Sequence, residues 1–227
     1  MRKERLQNVL SLIFNLLIVV ITVYAMWYNF RTDVIREETW FGNDGWKCFR
    51  FFTVLSNVFV AIVSFTLLFY NVKNIINDTF TLPKWILTLK FVATVSVALT
   101  FVTVVFFLGP YVTFYGKSYF SMFTGNNFFM HLITPLLAIF GFIFCEKSDT
   151  FSFKNTFWGL LPTALYSIVY VIMVVFIGEA NGGWTDFYGF TFGGHMWAAP
   201  LSAIAMLLAT YGCASLIWFL HKKWNKK

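Results

Sequence analysis

Six apolar runs, each about as long as a helix needs to cross the hydrocarbon of a bilayer, take up most of this 227-residue chain. They lie near 6–29, 49–72, 83–109, 127–145, 156–178 and 198–220, and the pieces between them are too short for a soluble domain. In lipid every backbone N–H and C=O must be paired within the protein, so apolar runs of this length are expected to be helices. Charged residues make up only 12% of the chain and hydrophobic ones 59%, about half the charged share of an ordinary soluble domain. The expected fold is all-α: one integral membrane domain over residues 1–227, a polytopic bundle of six transmembrane helices.

The basic start, Met1 to Arg5, resembles the head of a signal peptide. The apolar stretch behind it is too long, however, and Tyr24-Ala25-Met26-Trp27-Tyr28 is too bulky for a cleavage site, so the first run is expected to stay as a span. Lys and Arg crowd one set of ends: Arg2, Lys3 and Arg5, then Lys73 and Lys84, Lys147 and Lys154, and the tail from Lys222. The other set holds Arg31, Arg36, Lys47, Arg50 and Lys117. This bias predicts a cell-membrane protein with both termini cytoplasmic. It also accounts for most of the net charge of +7, which suits anionic lipid and gives no reason to expect nucleic acid as a partner. Lys90 stands alone inside span three, where its long stem is expected to snorkel to the inner boundary. Cys48, Cys145 and Cys213 offer no disulfide pair and no CxxC. The sequon Asn77-Asp78-Thr79 falls on the predicted cytoplasmic side, where it would not be glycosylated.

Polar groups inside the spans are few and ordered. Thr53, Ser56, Asn57, Val60 and Ser64 follow the spacing of one helix face in span two, and Asn127, His131, Thr134 and Pro135 follow it in span four. Thr53 and His131 each come about 6 Å inside the outer end of their span, so the two meet if spans two and four are neighbours. A hydroxyl beside an imidazole is the minimum kit for nucleophilic catalysis. The same Ser, Thr and Asn residues also serve plain helix packing in membranes. The loop from Gly178 to Trp197 carries six glycines before His195, dense aromatics and no Lys or Arg. It reads either as an interfacial aromatic belt or as a lid over the outer ends of spans two and four. His131, His195, Glu179 and Asp186 lack the close pairings of a metal site, and the chain has no P-loop, GxSxG, GxGxxG or HExxH, so no metal and no cofactor is expected.

The T-x-x-S-N stripe at Thr53, the N-x-x-x-H-x-x-x-P motif at His131, the Tyr-rich span LPTALYSIVYVIMVVFIG and the aromatic-glycine outer loop together resemble the androgen-induced family of six-span membrane proteins and its bacterial relatives. Animal members of that family are threonine hydrolases acting on fatty acid esters of hydroxy fatty acids. The resemblance implies Thr53 as nucleophile, His131 as base, and a membrane lipid or fatty acyl ester as partner. The family pattern has asparagine where Ser56 stands, with Asn57 next here, so Ser56, Asn57 and Asn127 are the candidates to assist the threonine or bind the oxyanion. Trp184, His195 and Tyr170 are the candidates for the lid or for substrate contact. Three other readings stand beside hydrolysis: acyl transfer to a lipid alcohol, non-catalytic lipid or small-molecule binding or transport, and a structural membrane protein. The oligomeric state is not legible in the sequence.

Overall fold

Asn8, Ser11, Asn15, Ile18, Thr22, Ala25 and Asn29 recur every three or four residues, and all are buried in the computed structural model, which describes residues 2–30, 45–79, 82–146 and 151–225. They form the inner seam of α1 (Arg2–Phe30), while Leu6, Ile13, Val20 and Trp27 are exposed on its other side. After a 3₁₀ turn at Gly45–Arg50, α2 (Phe52–Ile76) runs back antiparallel with a matching seam of Asn57, Val60, Ser64, Leu67, Asn71 and Asn74. Ser11 and Asn71 meet across this seam, the Asn71 amide donating to Ser11 Oγ at 3.0 Å. Of the charges that set the predicted orientation, Arg31, Arg36, Lys147, Lys226 and Lys227 lie outside the described residues.

Four more helices follow: α3 (Lys84–Phe114), α4 (Asn126–Phe144), α5 (Phe153–Ile177) and α6 (Ala198–Asn225). All six are long and apolar enough to cross a membrane, and no strand occurs among the described residues. The chain thus has the architecture of a multi-pass helical membrane protein. Its central element is α3, buried on all sides from Lys90 to Thr100 and packed on α2, α4, α6 and the start of α5. Gln7 donates to the Phe144 carbonyl at 3.2 Å and the Phe144 ring meets Trp224 at 4.7 Å, so both chain ends sit at one end of the bundle.

Two prolines bend the regular helical pattern near the opposite end. Pro110 and Pro135 have no N–H to donate, and each ring would crowd the carbonyl four residues earlier. A wide π-type turn precedes each, at Val104–Leu108 and Phe129–Ile133. There the N–H of Gly109 reaches back to Val104 and that of Thr134 to Phe129, five residues rather than four. Such turns insert one residue into a helix and shift which side chains share a face.

Lys90 does not snorkel. Its side chain is buried at 1% exposure, and its ammonium donates to Asn15 Oδ1 at 2.6 Å and Ser64 Oγ at 2.9 Å. Partners on α1 and α2 are nearer than the end of α3, which lies about 9 Å back along the axis.

Candidate functional site

The first residue of α2 has no side-chain cap from its own segment; Phe51, just before it, is extended and apolar. The Tyr188 hydroxyl supplies the missing acceptor, taking the Phe52 N–H at 3.1 Å. Tyr166 of α5 donates to the Arg50 carbonyl at 2.7 Å just upstream. Two tyrosines from later in the chain therefore fix the start of α2, and with it Thr53.

Tyr188 is held there by the loop that follows α5. Gly183 lies so close to the Met173 and Gly178 carbonyls that a Cβ would strike backbone, and this approach lets Trp184 N–H bond Met173 O at 3.0 Å. Asp186 organises the next turn: it accepts from the Tyr170 hydroxyl at 2.6 Å, from the N–H groups of Phe190 at 2.9 Å and Thr191 at 2.7 Å, and from the Thr191 hydroxyl at 2.5 Å. Burial alone would raise this carboxyl, but the four bonds outweigh it and hold Asp186 below its ordinary value. Burial also pushes the Tyr188 hydroxyl up to about 12, so it stays a neutral phenol.

Thr53 faces a narrow cavity of about 40 Å³ lined by Thr100, Thr103, Thr163, Ser167, Tyr166 and Tyr188 together with apolar side chains. Among the described residues the Thr53 hydroxyl makes no hydrogen bond. Beside this cavity, sharing Phe52 and Tyr166 with it, runs a wider groove of about 470 Å³ between α2, α3 and α5. Leu55, Phe59, Pro162, Leu165 and Val169 make its apolar walls, Ser56 and Ser96 lie within, and Trp184 is at one end. The groove has the apolar lining an acyl chain needs, and the cavity offers hydroxyls to a carbonyl.

His131 faces another way. Its Nδ1 is 2.7 Å from the Met122 carbonyl, which can only accept, so the proton sits on Nδ1 and the Nε2 lone pair is left as an acceptor. His131 is not among the residues lining the Thr53 cavity and is not hydrogen-bonded to Thr53. The two are joined indirectly by Asn57, whose buried amide donates to the Thr53 carbonyl at 2.8 Å and to the Met130 carbonyl at 3.1 Å. Spans two and four are therefore in contact at this depth. Ser56 bonds the Thr53 carbonyl at 3.0 Å and Thr100 Oγ1 at 3.1 Å.

The wide turn before Pro135 shifts which side chains of α4 share a face. Asn127, one ordinary turn earlier, makes no side-chain bond among the described residues, whereas Asn126 points inward and donates to Ala25 O at 3.1 Å and Asn29 Oδ1 at 2.8 Å. Tyr170 is buried and engaged with Asp186, and Trp184 stands half-buried against Tyr166. His195 is exposed, stacked loosely on Trp197, and lies at the entry to α6. The aromatic loop covers the start of α2 and the end of α5. No three of His, Cys, Asp and Glu gather as metal ligands among the described residues.

The sequence reading missed a second polar cluster, formed by Ser11, Asn15, Ser64, Asn71, Lys90 and Glu146. Its signal was present: a seam of Asn and Ser at three- and four-residue spacing in α1, facing a span that carries a lone lysine.

The described residues form six helices long and apolar enough to cross a membrane, with a groove beside a cavity at which the Thr53 hydroxyl has no hydrogen-bond partner among the described residues. No protein-family model matches the chain, and neither a curated protein nor a solved structure matches it.

Proposed function

We propose that this protein takes an acyl lipid from the bilayer into the groove between α2, α3 and α5, with the lipid carbonyl in the hydroxyl-lined cavity at Thr53. The observation that carries this reading is an apolar groove of about 470 Å³ lying beside a cavity rich in hydroxyls, with Phe52 and Tyr166 forming walls of both. With the lysine-rich ends in the cytoplasm, the cavity lies toward the outer leaflet of a cell membrane.

A second reading adds chemistry to binding. The Thr53 hydroxyl is unpaired and fronts the cavity, as a nucleophile should, and the resemblance to the androgen-induced family supports ester hydrolysis there. Thr53 Oγ would attack the ester carbonyl, its proton would pass to His131 Nε2 and on to the leaving alkoxide, and water would then release the acid. This step requires His131 to swing from its present setting or to act through a bridging water, because the two side chains are not bonded to each other.

Two measurements separate the readings. A photoreactive fatty acyl ester should crosslink saturably to the groove, and Leu165→Trp, which fills it, should cut the yield at least tenfold. Unchanged crosslinking in that variant removes the binding proposal. A fluorophosphonate hydrolase probe should label the wild type and neither Thr53→Ala nor His131→Ala if the threonine is activated. Crosslinking without labelling leaves a lipid-binding protein and rules out the hydrolase.

A further inference from the structure

The cluster around Lys90 lies at the other end of the bundle from Thr53 and has no part in the lipid reading. Lys90 and Glu146 are both almost wholly buried, at 1% and 2% exposure. They are joined through one amide: the ammonium donates to Asn15 Oδ1 at 2.6 Å, and Asn15 Nδ2 lies 3.5 Å from Glu146 Oε1. Ser11 Oγ donates to the same carboxylate oxygen at 2.8 Å. An ionisable side chain inside a span is costly, and where it persists it commonly marks an ion or proton site. Packing alone would be served by the amides and hydroxyls already present in the seam.

Glu146 follows the end of α4 by two residues, at the end of the bundle that carries both termini. In the other direction Ile18, Val60, Val97 and Ala138 close into a buried apolar layer between Lys90 and Asn57. No polar side chain of the α2 seam bridges that layer, since Val60 alone stands between Asn57 and Ser64 on it.

We infer that Glu146, Asn15 and Lys90 form a proton-exchange site within the bundle, loaded and unloaded from the end that carries the termini. In the unloaded form a carboxylate faces an ammonium through Asn15, and the site is neutral overall. Loading transfers a proton from a hydronium ion to a carboxylate oxygen: one O–H bond of the hydronium breaks, water is left behind, one carboxyl O–H bond forms, and the site gains a charge of +1. Ser11 and Asn15 both address Oε1, so a proton on Oε2 leaves Oε1 as their acceptor and the contact between α1 and the end of α4 is kept.

Among the described residues, few titratable groups face this site. Cys145 lies beside Glu146, and burial holds its thiol up to about 12, so it stays protonated. From α6, His221 Nε2 donates to the Glu146 carbonyl at 2.7 Å, with Lys222 next in the chain. Burial pushes the Glu146 carboxyl above its ordinary value, opposed by the Lys90 charge and by the bonds from Ser11 and Asn15.

Infrared difference spectroscopy of the full chain in lipid nanodiscs, titrated by pH, tests this directly. A protonated-carboxyl C=O band should grow as pH falls, with a midpoint above that of a free glutamate, about 4.3. Glu146→Gln, which keeps the size and an acceptor oxygen, should abolish that band. Lys90→Met should move its midpoint upward by at least one pH unit, and Lys90→Arg should leave it near the wild-type value. Absence of any Glu146-dependent band overturns the proposal, as does a midpoint at or below about 4.3. If Lys90→Met does not fold, Asn15→Ser, which breaks the bridge while keeping both charges, should still shift the midpoint, and an unshifted band in that folded variant reduces the cluster to a packing contact.

Discussion

The amide of Asn57 donates to the carbonyl of Met130 at 3.1 Å, and by this one bond α2 holds the residue that precedes His131. The same nitrogen bonds the Thr53 carbonyl at 2.8 Å, so a single side chain sets both the nucleophile candidate and the base candidate. Its oxygen is buried without a partner among the described residues, which makes the amide nitrogen the half of Asn57 that ties the fold together.

Asn57→Leu should therefore lower stability by about 1–2 kcal/mol, the range for a hydrogen bond between membrane helices. Chemical denaturation in mixed micelles would measure it. Any fluorophosphonate labelling should fall in parallel, because both backbone positions loosen.

Removing Lys90 alone should be severe. Lys90→Met leaves the Glu146 carboxylate buried without its cation, and breaking one side of a buried pair costs about 3–5 kcal/mol. The double variant Lys90→Met/Glu146→Gln should recover most of that loss. Melting curves of the four proteins in the cycle would show the coupling, and additive losses would mean that the pair does not interact.

Asp186 gives the outer loop a dependence on acid. Its folded carboxyl is held below the ordinary value of 3.8, so the unfolded chain binds the proton more readily. The contribution to stability is thus present above 3.8 and lost as pH falls through the lowered folded value. Thermal melts at decreasing pH should show the wild type losing stability in that acid range, while Asp186→Asn starts lower and loses less.

Tyr188→Phe removes the acceptor that caps Phe52 N–H at 3.1 Å and one hydroxyl from the Thr53 cavity. A loss of about 1 kcal/mol is expected from the bond. Ester crosslinking should weaken by more than the melt alone explains, since the carbonyl also loses a donor.

Gly183→Ala places a methyl against the Met173 and Gly178 carbonyls, which cannot step aside as a flexible side chain would. Trp184 should leave the end of the groove, and quenching of its fluorescence by brominated lipid should change. An unchanged signal would remove Trp184 from the groove.

The six spans were legible because each apolar run matches a membrane-crossing length, and their bounds moved by only a few residues where aromatic or capping segments extend them. Thr53 and His131 were singled out by their matched depth and by ordinary helical spacing. The wide turn at Phe129–Ile133 breaks that spacing, and it brings Asn126 inward where Asn127 was expected. Lys90 was misjudged for a different reason: depth suggested an escape to the boundary, whereas what decided its position was the acceptor on Asn15, a residue 75 positions away. Long-range partners of that kind are visible in sequence only when both seams are written out and set face to face.

The seam of α1 also bears on how the chain enters a bilayer. As an isolated helix, α1 would turn Asn8, Ser11, Asn15 and Asn29 toward lipid, where unpaired amides are costly. Its partners arrive later in synthesis: Asn71 and Ser64 with α2, Lys90 with α3, and Glu146 only after α4. The first helix must therefore be sheltered at the insertion machinery until its neighbours emerge, and the leading two-thirds of the protein should leave for the lipid phase as one assembled unit.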